Sequence, residues 1–153
     1  MDNEALKEKI LAWEPSAELV EEGSQFLNAI VAPEKLEALA QKLRYDDSTL
    51  FDYMFSMTAV DFPEHLVTVY HLRSTTHKHE MVLKAKIEDK EDAKVDTLCH
   101  IWRTSEYLER EVYDLFGIKF NNHPDLRRLF LTDDWVGYPL RKDYVDPVNM
   151  IMK

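Results

Sequence analysis

Two groups of side chains in this sequence have the chemistry of metal ligands or of general acids and bases. His77 and His79 bracket one lysine, and such a pair could supply two ligands to a metal ion. No third ligand is evident near them in the sequence, so a solvated turn is the favoured interpretation. Clustered carboxylates could also supply a general acid and base. Their sequence neighbours are not apolar, which favours a solvated charged loop for Asp46, Asp47, Glu88, Asp89, Glu91 and Asp92.

Patterns that bind cofactors are missing from the sequence. The chain has three glycines, Gly23, Gly117 and Gly137, so it contains neither a GxGxxG nor a P-loop to hold a nucleotide phosphate. Cys99 is its single cysteine, whereas an iron–sulfur cluster or a structural zinc ion needs several thiolates or histidines at fixed spacings. The sequence therefore predicts no cofactor and no metal in this chain.

A charged helix is predicted over residues 105–116, and its central basic residue is Arg110. Arg110 lies four residues after Glu106 and four before Asp114, so one guanidinium could bridge two carboxylates along one helix face. One interpretation is an exposed salt-bridge ladder that contributes little to stability. The other is a fixed charge network that holds the following segment on the domain. An apolar stripe lies beside these charges: Leu108, Val112, Leu115 and Phe116.

The last thirty residues combine arginines with aromatics and prolines and have little regular periodicity. Arg, Trp and Tyr are enriched among the residues that dominate binding energy at protein interfaces. A tail folded back on its own domain is the alternative, and Leu126 and Leu129 would suit it. For the larger polar side chains the sequence favours a partner-binding role: Arg127, Arg128, Trp135, Tyr138, Arg141 and Tyr144.

Composition limits the class of protein and its partners. The 153 residues carry a formal net charge of -10, which argues against a nucleic-acid binder. Five of the seven arginines lie in residues 101–153, so this third is the expected surface for an acidic or carbonyl-rich partner. No secretory signal and no apolar run near the ~20 residues of a spanning helix are visible. We therefore expect a cytoplasmic chain that meets a membrane only through partners.

Regular secondary structure is predicted for most of the first 120 residues. One helix begins near Asn3 and is limited by Pro15, and another begins at Pro33. The second has the spacing of a buried stripe at Leu36, Leu39, Ala40 and Leu43. Residues 24–31 predict a strand. Residues 51–62 predict a central strand, because apolar groups occur in both of their alternating sets.

The middle of the chain predicts a β-hairpin. Residues 65–73 and 80–88 alternate cleanly around a polar turn, with an inward face of Met81, Leu83, Ala85 and Ile87. Residues 95–102 predict a short helix. For the charged helix that follows, Ser105 is the expected cap and Gly117 the expected stop.

These elements predict an α+β fold in which helices cover a mixed or antiparallel sheet, followed by an extended C-terminal tail. We expect residues 1–120 to form the α+β domain and residues 121–153 to form an irregular, partner-binding tail.

One long motif resembles a known family. The stretch EREVYDLFGIKFNNHPDLRRLFL is similar to the motif of the 30-kDa subunit, designated C, of respiratory NADH:quinone oxidoreductase (complex I). TAVDF at 58–62 resembles the strand-end motif of that family, although Tyr107 and Phe130 depart from its pattern. The matching positions include Glu109, Arg110, Glu111, Asp114, Leu115, Phe116, His123 and Arg127.

The resemblance implies a cofactor-free subunit of the hydrophilic arm that packs against the large subunit designated D. That subunit helps to form the quinone site, and we call it the quinone-site subunit. It implies that NADH, FMN, iron–sulfur clusters and quinone are bound by partner subunits. It also implies a peripheral position on the cytoplasmic side of the inner membrane. Related subunits occur in membrane-bound hydrogenases and ferredoxin-linked complexes, and the sequence does not separate these. A free-standing metal or acid/base hydrolase and a generic adaptor are the less favoured alternatives.

Overall fold

The computed structural model describes residues 3–21, 26–128 and 137–141. Within these residues the chain forms three helices and seven strands. The helices are α1 (Asn3–Trp13), α2 (Pro33–Tyr45) and α3 (Thr104–Phe116). The strands are β1 (Glu18–Val20), β2 (Leu27–Val31), β3 (Tyr53–Asp61), β4 (Leu66–Ser74), β5 (His79–Ile87), β6 (Lys94–Asp96) and β7 (Lys119–Asn121).

Five of the strands form one mixed sheet in the order β1, β2, β5, β4, β3. β2 and β5 are parallel, and the other neighbouring pairs are antiparallel. The predicted hairpin is β4–β5, paired from Leu66 opposite Ile87 to Ser74 opposite His79. β6 and β7 form a separate parallel pair. The predicted α+β class with a mixed sheet is confirmed.

The helices pack against one face of this sheet. Leu72, Met81 and Leu27 lie side by side on three neighbouring strands, and all three belong to the main core. Pro33 starts α2, as predicted, because its fixed φ suits the first helical turn. Fully burying one leucine contributes about 1.5–3 kcal/mol. The helices add to this core Leu6 and Ile10 of α1, Leu36, Leu39, Ala40 and Leu43 of α2, and Val112 and Phe116 of α3.

The strand predicted to be central, β3, lies at the edge of the sheet. Its pairing with β4 shifts register between Met54 and Ser56, which marks a β-bulge at Phe55. Met54 is buried before the bulge, and Met57, Ala59 and Asp61 are buried after it. The bulge therefore moves the buried face from one alternating set to the other. Each alternating set of β3 is therefore buried over only part of the strand. Apolar residues in both sets are explained by the bulge and do not require a strand buried on both faces.

Two local predictions about the region before α3 are wrong. Residues 95–102 do not form a helix, because Val95 pairs with Phe120 in the β6–β7 ladder and Leu98 begins a turn that ends at Trp102. Ser105 does not cap α3, since it lies inside the helix and its hydroxyl donates to the Glu109 carboxylate. Gly117 ends α3 as predicted, in the left-handed conformation with φ 77°.

The predicted tail of residues 121–153 is described only in part, and its first residue, Asn121, ends β7. After β7, residues 122–128 and 137–141 contain neither helix nor strand. The predicted strand over 24–31 is confirmed from Leu27 onward, and residues 24 and 25 lie outside the described ranges. Over the described ranges, no helix has the length and hydrophobicity needed to cross a membrane.

Candidate assembly site at helix α3 and the tail

Glu109 is the buried centre of α3, with its side chain fully removed from solvent. The Leu98 N–H donates to Oε2 at 2.8 Å, and the Ser105 hydroxyl donates to the same oxygen. The Thr97 hydroxyl donates to Oε1. Two of these donors belong to the loop between β6 and α3, so the carboxylate holds that loop against the first turns of the helix. A buried carboxylate is stable only when donors satisfy it in this way.

Burial raises the pKa of the Glu109 carboxyl above its usual value, although the bonds from Ser105, Thr97 and Leu98 oppose the shift. Because the pKa is higher in the folded chain than in the unfolded chain, the protonated carboxyl stabilises the fold at pH values below the unfolded-state pKa. This stabilisation is lost as pH rises through the folded-state pKa. The unfolding free energy of the wild type, measured relative to Glu109→Gln, is therefore expected to fall as pH increases through that window. Denaturant melts of both chains over a series of pH values measure it.

Ser105→Ala provides a control for this pH prediction. It removes the largest of the hydrogen bonds that lower the Glu109 pKa, so the window in which the wild-type advantage is lost should move to higher pH. A difference between wild type and Glu109→Gln that grows with pH would contradict a raised pKa.

His123 places the first residues of the tail over Glu109. Its Nε2 lies 3.9 Å from Glu109 Oε1 and 2.9 Å from the Glu106 carbonyl oxygen. The Asp125 N–H donates to Nδ1 at 3.0 Å, so Nε2 is the nitrogen that carries a proton and donates to Glu106. Both side chains, His123 and Glu109, are fully buried. The family-motif histidine thus connects the tail to the middle of α3.

The end of α3 is covered by donors from the segment that follows it. The last carbonyls of a helix lack partners within the helix and carry partial negative charge, so N–H groups and arginines are favoured there. All four final carbonyls of α3 are satisfied. Gly117 N–H donates to Tyr113 O (2.9 Å), Arg128 Nη1 to Asp114 O (2.8 Å), Leu140 N–H to Leu115 O (2.9 Å) and Arg141 Nε to Phe116 O (2.7 Å).

Arg128 also forms the buried ion pair of this site. Its Nη1 lies 3.2 Å from Asp114 Oδ1, with the two side chains 9% and 0% exposed. Its Nη2 donates to the Gly137 carbonyl at 2.9 Å, and its guanidinium lies 4.7 Å from the centre of the Tyr138 ring. One guanidinium therefore joins α3 to both described parts of the tail.

Arg141 reaches a third part of the domain through Lys90. Its Nη2 donates to the Lys90 carbonyl at 2.5 Å. The Lys90 ammonium in turn pairs with buried Asp61 at 2.5 Å and donates to the Phe62 carbonyl at 2.8 Å. The TAVDF stretch at the end of β3 is thereby connected to the tail, and sequence reasoning did not identify Lys90 as the link.

Arg110 does not bridge Glu106 and Asp114, so the predicted double ion pair along the charged helix is wrong. Its Nε and Nη2 approach the carbonyl oxygens of Arg127 and Arg128, each at 3.4 Å, and among the described residues it has no carboxylate within ion-pair distance. The fixed network exists, but Arg128 provides its cation. Spacing along one helix could not reveal a partner fourteen residues away.

Arg110→Ala should consequently destabilise the chain by less than about 1 kcal/mol. Its two hydrogen bonds are long, the side chain is half-buried, and its loss leaves no described carboxylate without a cation. Denaturant melts of the isolated chain measure the change. A cost of about 3–5 kcal/mol would return the arginine to the desolvated network that the spacing suggested.

The other predicted site residues lie at varied positions. Glu111 and Leu115 are half-buried and Phe116 is buried in the core. Arg127 is exposed and pairs with Asp125 at 3.1 Å, whereas Arg128, Tyr138 and Arg141 contact their own domain. Trp135 and Tyr144 lie outside the described residues.

His77 and His79, the pair considered as metal ligands, contact a backbone carbonyl and an aromatic ring respectively. The His77 ring nitrogen Nε2 lies 2.8 Å from the Asp47 carbonyl oxygen. His79 begins β5, where its ring lies 6.4 Å from that of Phe51. Among residues 3–21, 26–128 and 137–141, no group of three or more His, Cys, Asp and Glu side chains is arranged to hold a metal ion.

Fold and site together define a class of protein: an α+β domain whose C-terminal segment is held on the end of a buried, charged helix. Comparisons with known proteins identify the family. Residues 29–148 match the family model described as respiratory-chain NADH dehydrogenase, 30 Kd subunit. The chain belongs to this family of complex I subunits.

Individual relatives agree with the family model. The C subunit of NADH-quinone oxidoreductase from Geobacter sulfurreducens is 46% identical over 74% of this chain and 71% of its own length. The C subunit from Moorella thermoacetica is 38% identical over 82% of this chain and 84% of its own length. The C/D protein of NADH-quinone oxidoreductase from Phocaeicola vulgatus is 43% identical over 76% of this chain, which spans only 24% of that longer protein.

A solved structure shares the fold. A chain from the membrane-bound sulfane sulfur reductase, an archaeal respiratory membrane complex, superposes with a TM-score of 0.80 and is 26% identical. The match covers 97% of this chain and 89% of that chain. The α+β architecture therefore recurs in another respiratory membrane complex.

Proposed function

We propose that this chain is a non-catalytic, cofactor-free subunit of the hydrophilic arm of NADH:quinone oxidoreductase, and that it scaffolds the quinone-site subunit. In this proposal the quinone-site subunit and other arm subunits carry the quinone site, FMN and iron–sulfur clusters, and NADH is oxidised there. The chain contributes position and stability to electron transfer that is coupled to ion translocation. It lies on the cytoplasmic side of the inner membrane and contacts the membrane only through the complex.

The observation that carries the partner assignment is the fusion of the C and D polypeptides in some relatives. The C/D proteins of Phocaeicola vulgatus and Bacteroides thetaiotaomicron are 43% and 40% identical to this chain where they match. Joining two modules in one polypeptide makes their association intramolecular and so raises their effective concentration. Fusion is therefore expected between subunits that bind each other.

The geometry of the tail supports the same assignment. Arg128 and Arg141 hold the described tail residues on α3 through well-formed hydrogen bonds. A segment that is already ordered loses less conformational entropy when it binds a partner. We propose that residues 121–153 act as this binding element on the 1–120 domain. Arg128 and Arg141 fix the path of the chain, while exposed Arg127, Trp135 and Tyr144 contact the quinone-site subunit.

The test is the double variant Trp135→Ala and Tyr144→Ala in pull-down of the quinone-site subunit from the same organism. Large aromatic anchors at an interface each contribute about 2 kcal/mol or more, so we expect loss of both to lower affinity by about 1,000-fold. Thermal melting followed by circular dichroism should stay close to that of the wild type. Tyr45→Ala is a matched aromatic control, because Tyr45 is 62% exposed on α2 and lies outside the tail.

Two results would overturn this role of the tail. Loss of folding in the double variant would assign Trp135 and Tyr144 to the domain core. Unchanged binding of the quinone-site subunit with an intact fold would place the interface on another surface.

A second candidate is the equivalent subunit of a related respiratory complex, and the superposition with the sulfane sulfur reductase chain favours it. Complex I and the related complexes differ in the subunits through which electrons enter, so the subunits that co-purify with this chain distinguish the two candidates. Co-purification with flavin- and NADH-binding subunits supports complex I. Co-purification with a nickel-containing large subunit or a ferredoxin-accepting subunit supports the alternative.

A further inference from the structure

The sheet has a second face, opposite the helices, on which no helix of the described residues packs. We call this surface the open face and define it by Tyr53, Phe55 and Val60 of β3 and by Val82, Lys84 and Lys86 of β5. The buried residues of all three helices belong to the main core with the other sheet face. Val67 and Val69 of β4 lie on the same side as Val82 and form with it a separate small cluster, against which partly buried Phe26 packs. No helix of the described residues therefore covers this side of the sheet, although the three valines at its centre are themselves buried.

The β3 edge gives the open face an aromatic and aliphatic rim. Tyr53, Phe55 and Val60 are 46%, 41% and 40% exposed, and Phe62 beyond the strand is 41% exposed. The Tyr53 and Phe55 rings lie 6.1 Å apart, and the Phe55 ring lies 5.7 Å from that of His71. Four of the eight exposed large apolar side chains among the described residues therefore lie within ten consecutive positions. Exposed apolar groups concentrated in this way mark interaction sites.

The open face carries two basic side chains, Lys84 and Lys86, and Lys86 also borders a depression that Glu18 and Glu88 help to line. Lys84 and Lys86 lie on neighbouring outward positions of β5, in register with Val69 and Val67 of β4. Within the described ranges neither lysine has a carboxylate at ion-pair distance. Glu18 is in line with Lys84 but two strands away, about 10 Å. Two ammonium groups therefore stand over an apolar surface in a chain of net charge -10.

We propose that the open face docks another subunit of the respiratory complex through a surface of apolar side chains and carboxylates. Carboxylates complement Lys84 and Lys86, and apolar groups cover the β3 rim. The proposal depends on membership of the complex, which the family match gives, and not on binding of the quinone-site subunit by the tail. Its failure would leave the role of the tail unchanged.

A second copy of this chain fits the open face poorly. A two-fold dimer with its axis near Lys84 and Lys86 would bring the same lysines of both copies together, and like charges oppose such a contact. Five strands about 4.8 Å apart and up to about 30 Å long give a face on the order of 600 Å². Stable pairs bury about 800 Å² per partner, so this face suits one contact among several in a larger assembly.

The test is carbodiimide crosslinking of the complex purified through a tag on this chain. The reagent joins an amine to a carboxylate with no spacer, so the docked state should give an amide between Lys84 or Lys86 and an Asp or Glu of a different subunit. Mass spectrometry of the digested complex identifies the pair. Lys84→Arg with Lys86→Arg is the matched control, since it keeps the charge and removes the reactive amines. We expect the complex to assemble and this crosslink to disappear.

A charge reversal supplies an independent measurement. Lys84→Glu with Lys86→Glu should lower incorporation of the chain into the complex by at least about tenfold, because carboxylates would then face carboxylates. Lys35→Glu with Lys42→Glu makes the same charge change on exposed positions of α2 and should leave incorporation unchanged. Circular dichroism melts of both variants report folding.

Four outcomes would overturn the proposal. Crosslinks from these lysines only to the chain's own residues 129–153 would mean that the face is covered within the chain. Crosslinks only to a second copy, or none while other lysines of the complex react, would exclude a docked subunit. Equal loss of incorporation in both charge-reversal variants would assign the effect to net charge alone.

Discussion

Arg128→Ala is expected to destabilise the chain by about 3–5 kcal/mol, because it removes the cation from a buried pair and leaves Asp114 buried beside its own helix end. The same change removes donors from the carbonyls of Asp114 and Gly137 and a cation from the face of Tyr138. These losses remove hydrogen-bond and ring contacts from buried or partly buried groups at the end of α3, which adds to the cost. Denaturant unfolding of the purified chain measures the effect.

The neighbouring arginine provides a matched control for this prediction. Arg127→Ala removes the same side chain one residue earlier, where it is 66% exposed and pairs only with an exposed carboxylate in the described part of the chain. We expect a change below about 1 kcal/mol. A double-mutant cycle of Arg128→Ala with Asp114→Ala should give a coupling of the order of 1–3 kcal/mol. Equal effects of the two arginine substitutions would contradict the central role of Arg128.

Gly117→Ala is the second substitution with a large expected effect. Gly117 has φ 77°, a conformation that costs other residues about 1–2 kcal/mol. An added Cβ would also lie 2.5 Å from Tyr138 Cδ2, so the ring would have to move away from α3. Moving it weakens the contact between Tyr138 and Arg128. We expect a total cost of about 2–3 kcal/mol in the free energy of unfolding.

The two causes can be separated in a Tyr138→Ala background. There the added Cβ meets no ring, and only the backbone cost of about 1–2 kcal/mol should remain. If Gly117→Ala costs the same in both backgrounds, the clash between the added Cβ and the Tyr138 ring contributes nothing to the loss of stability.

The spacing of apolar residues correctly predicted the elements in which the buried side chains follow a single helical or strand period throughout. The stripe of α2 and the inward face of β5 are examples, because each lies wholly on the helix-covered side. The prediction for β3 was wrong about position, since a bulge exchanges its faces and neither alternating set stays buried throughout. Sequence alone does not show where a strand gains one unpaired residue.

The sequence identified several residues of the site but not the contacts between them. The motif residues Glu109 and His123 do lie together, yet the cation beside Asp114 is Arg128 and the link to β3 runs through Lys90. Ser105 could have been recognised as a partner of Glu109, because residues four apart on a helix are neighbours. The arginine contacts could not, since they depend on the path that the tail takes past the carbonyl end of α3.

Purification of the intact complex through a tag on this chain tests the central claim most directly. Detergent-solubilised membranes of the source organism would be analysed by native mass spectrometry and assayed for NADH-dependent quinone reduction. A member of complex I should co-purify with the quinone-site subunit and with flavin- and iron–sulfur-containing subunits, and the preparation should reduce quinone with NADH. Recovery of the chain alone, or with no redox subunit and no such activity, would contradict the assignment.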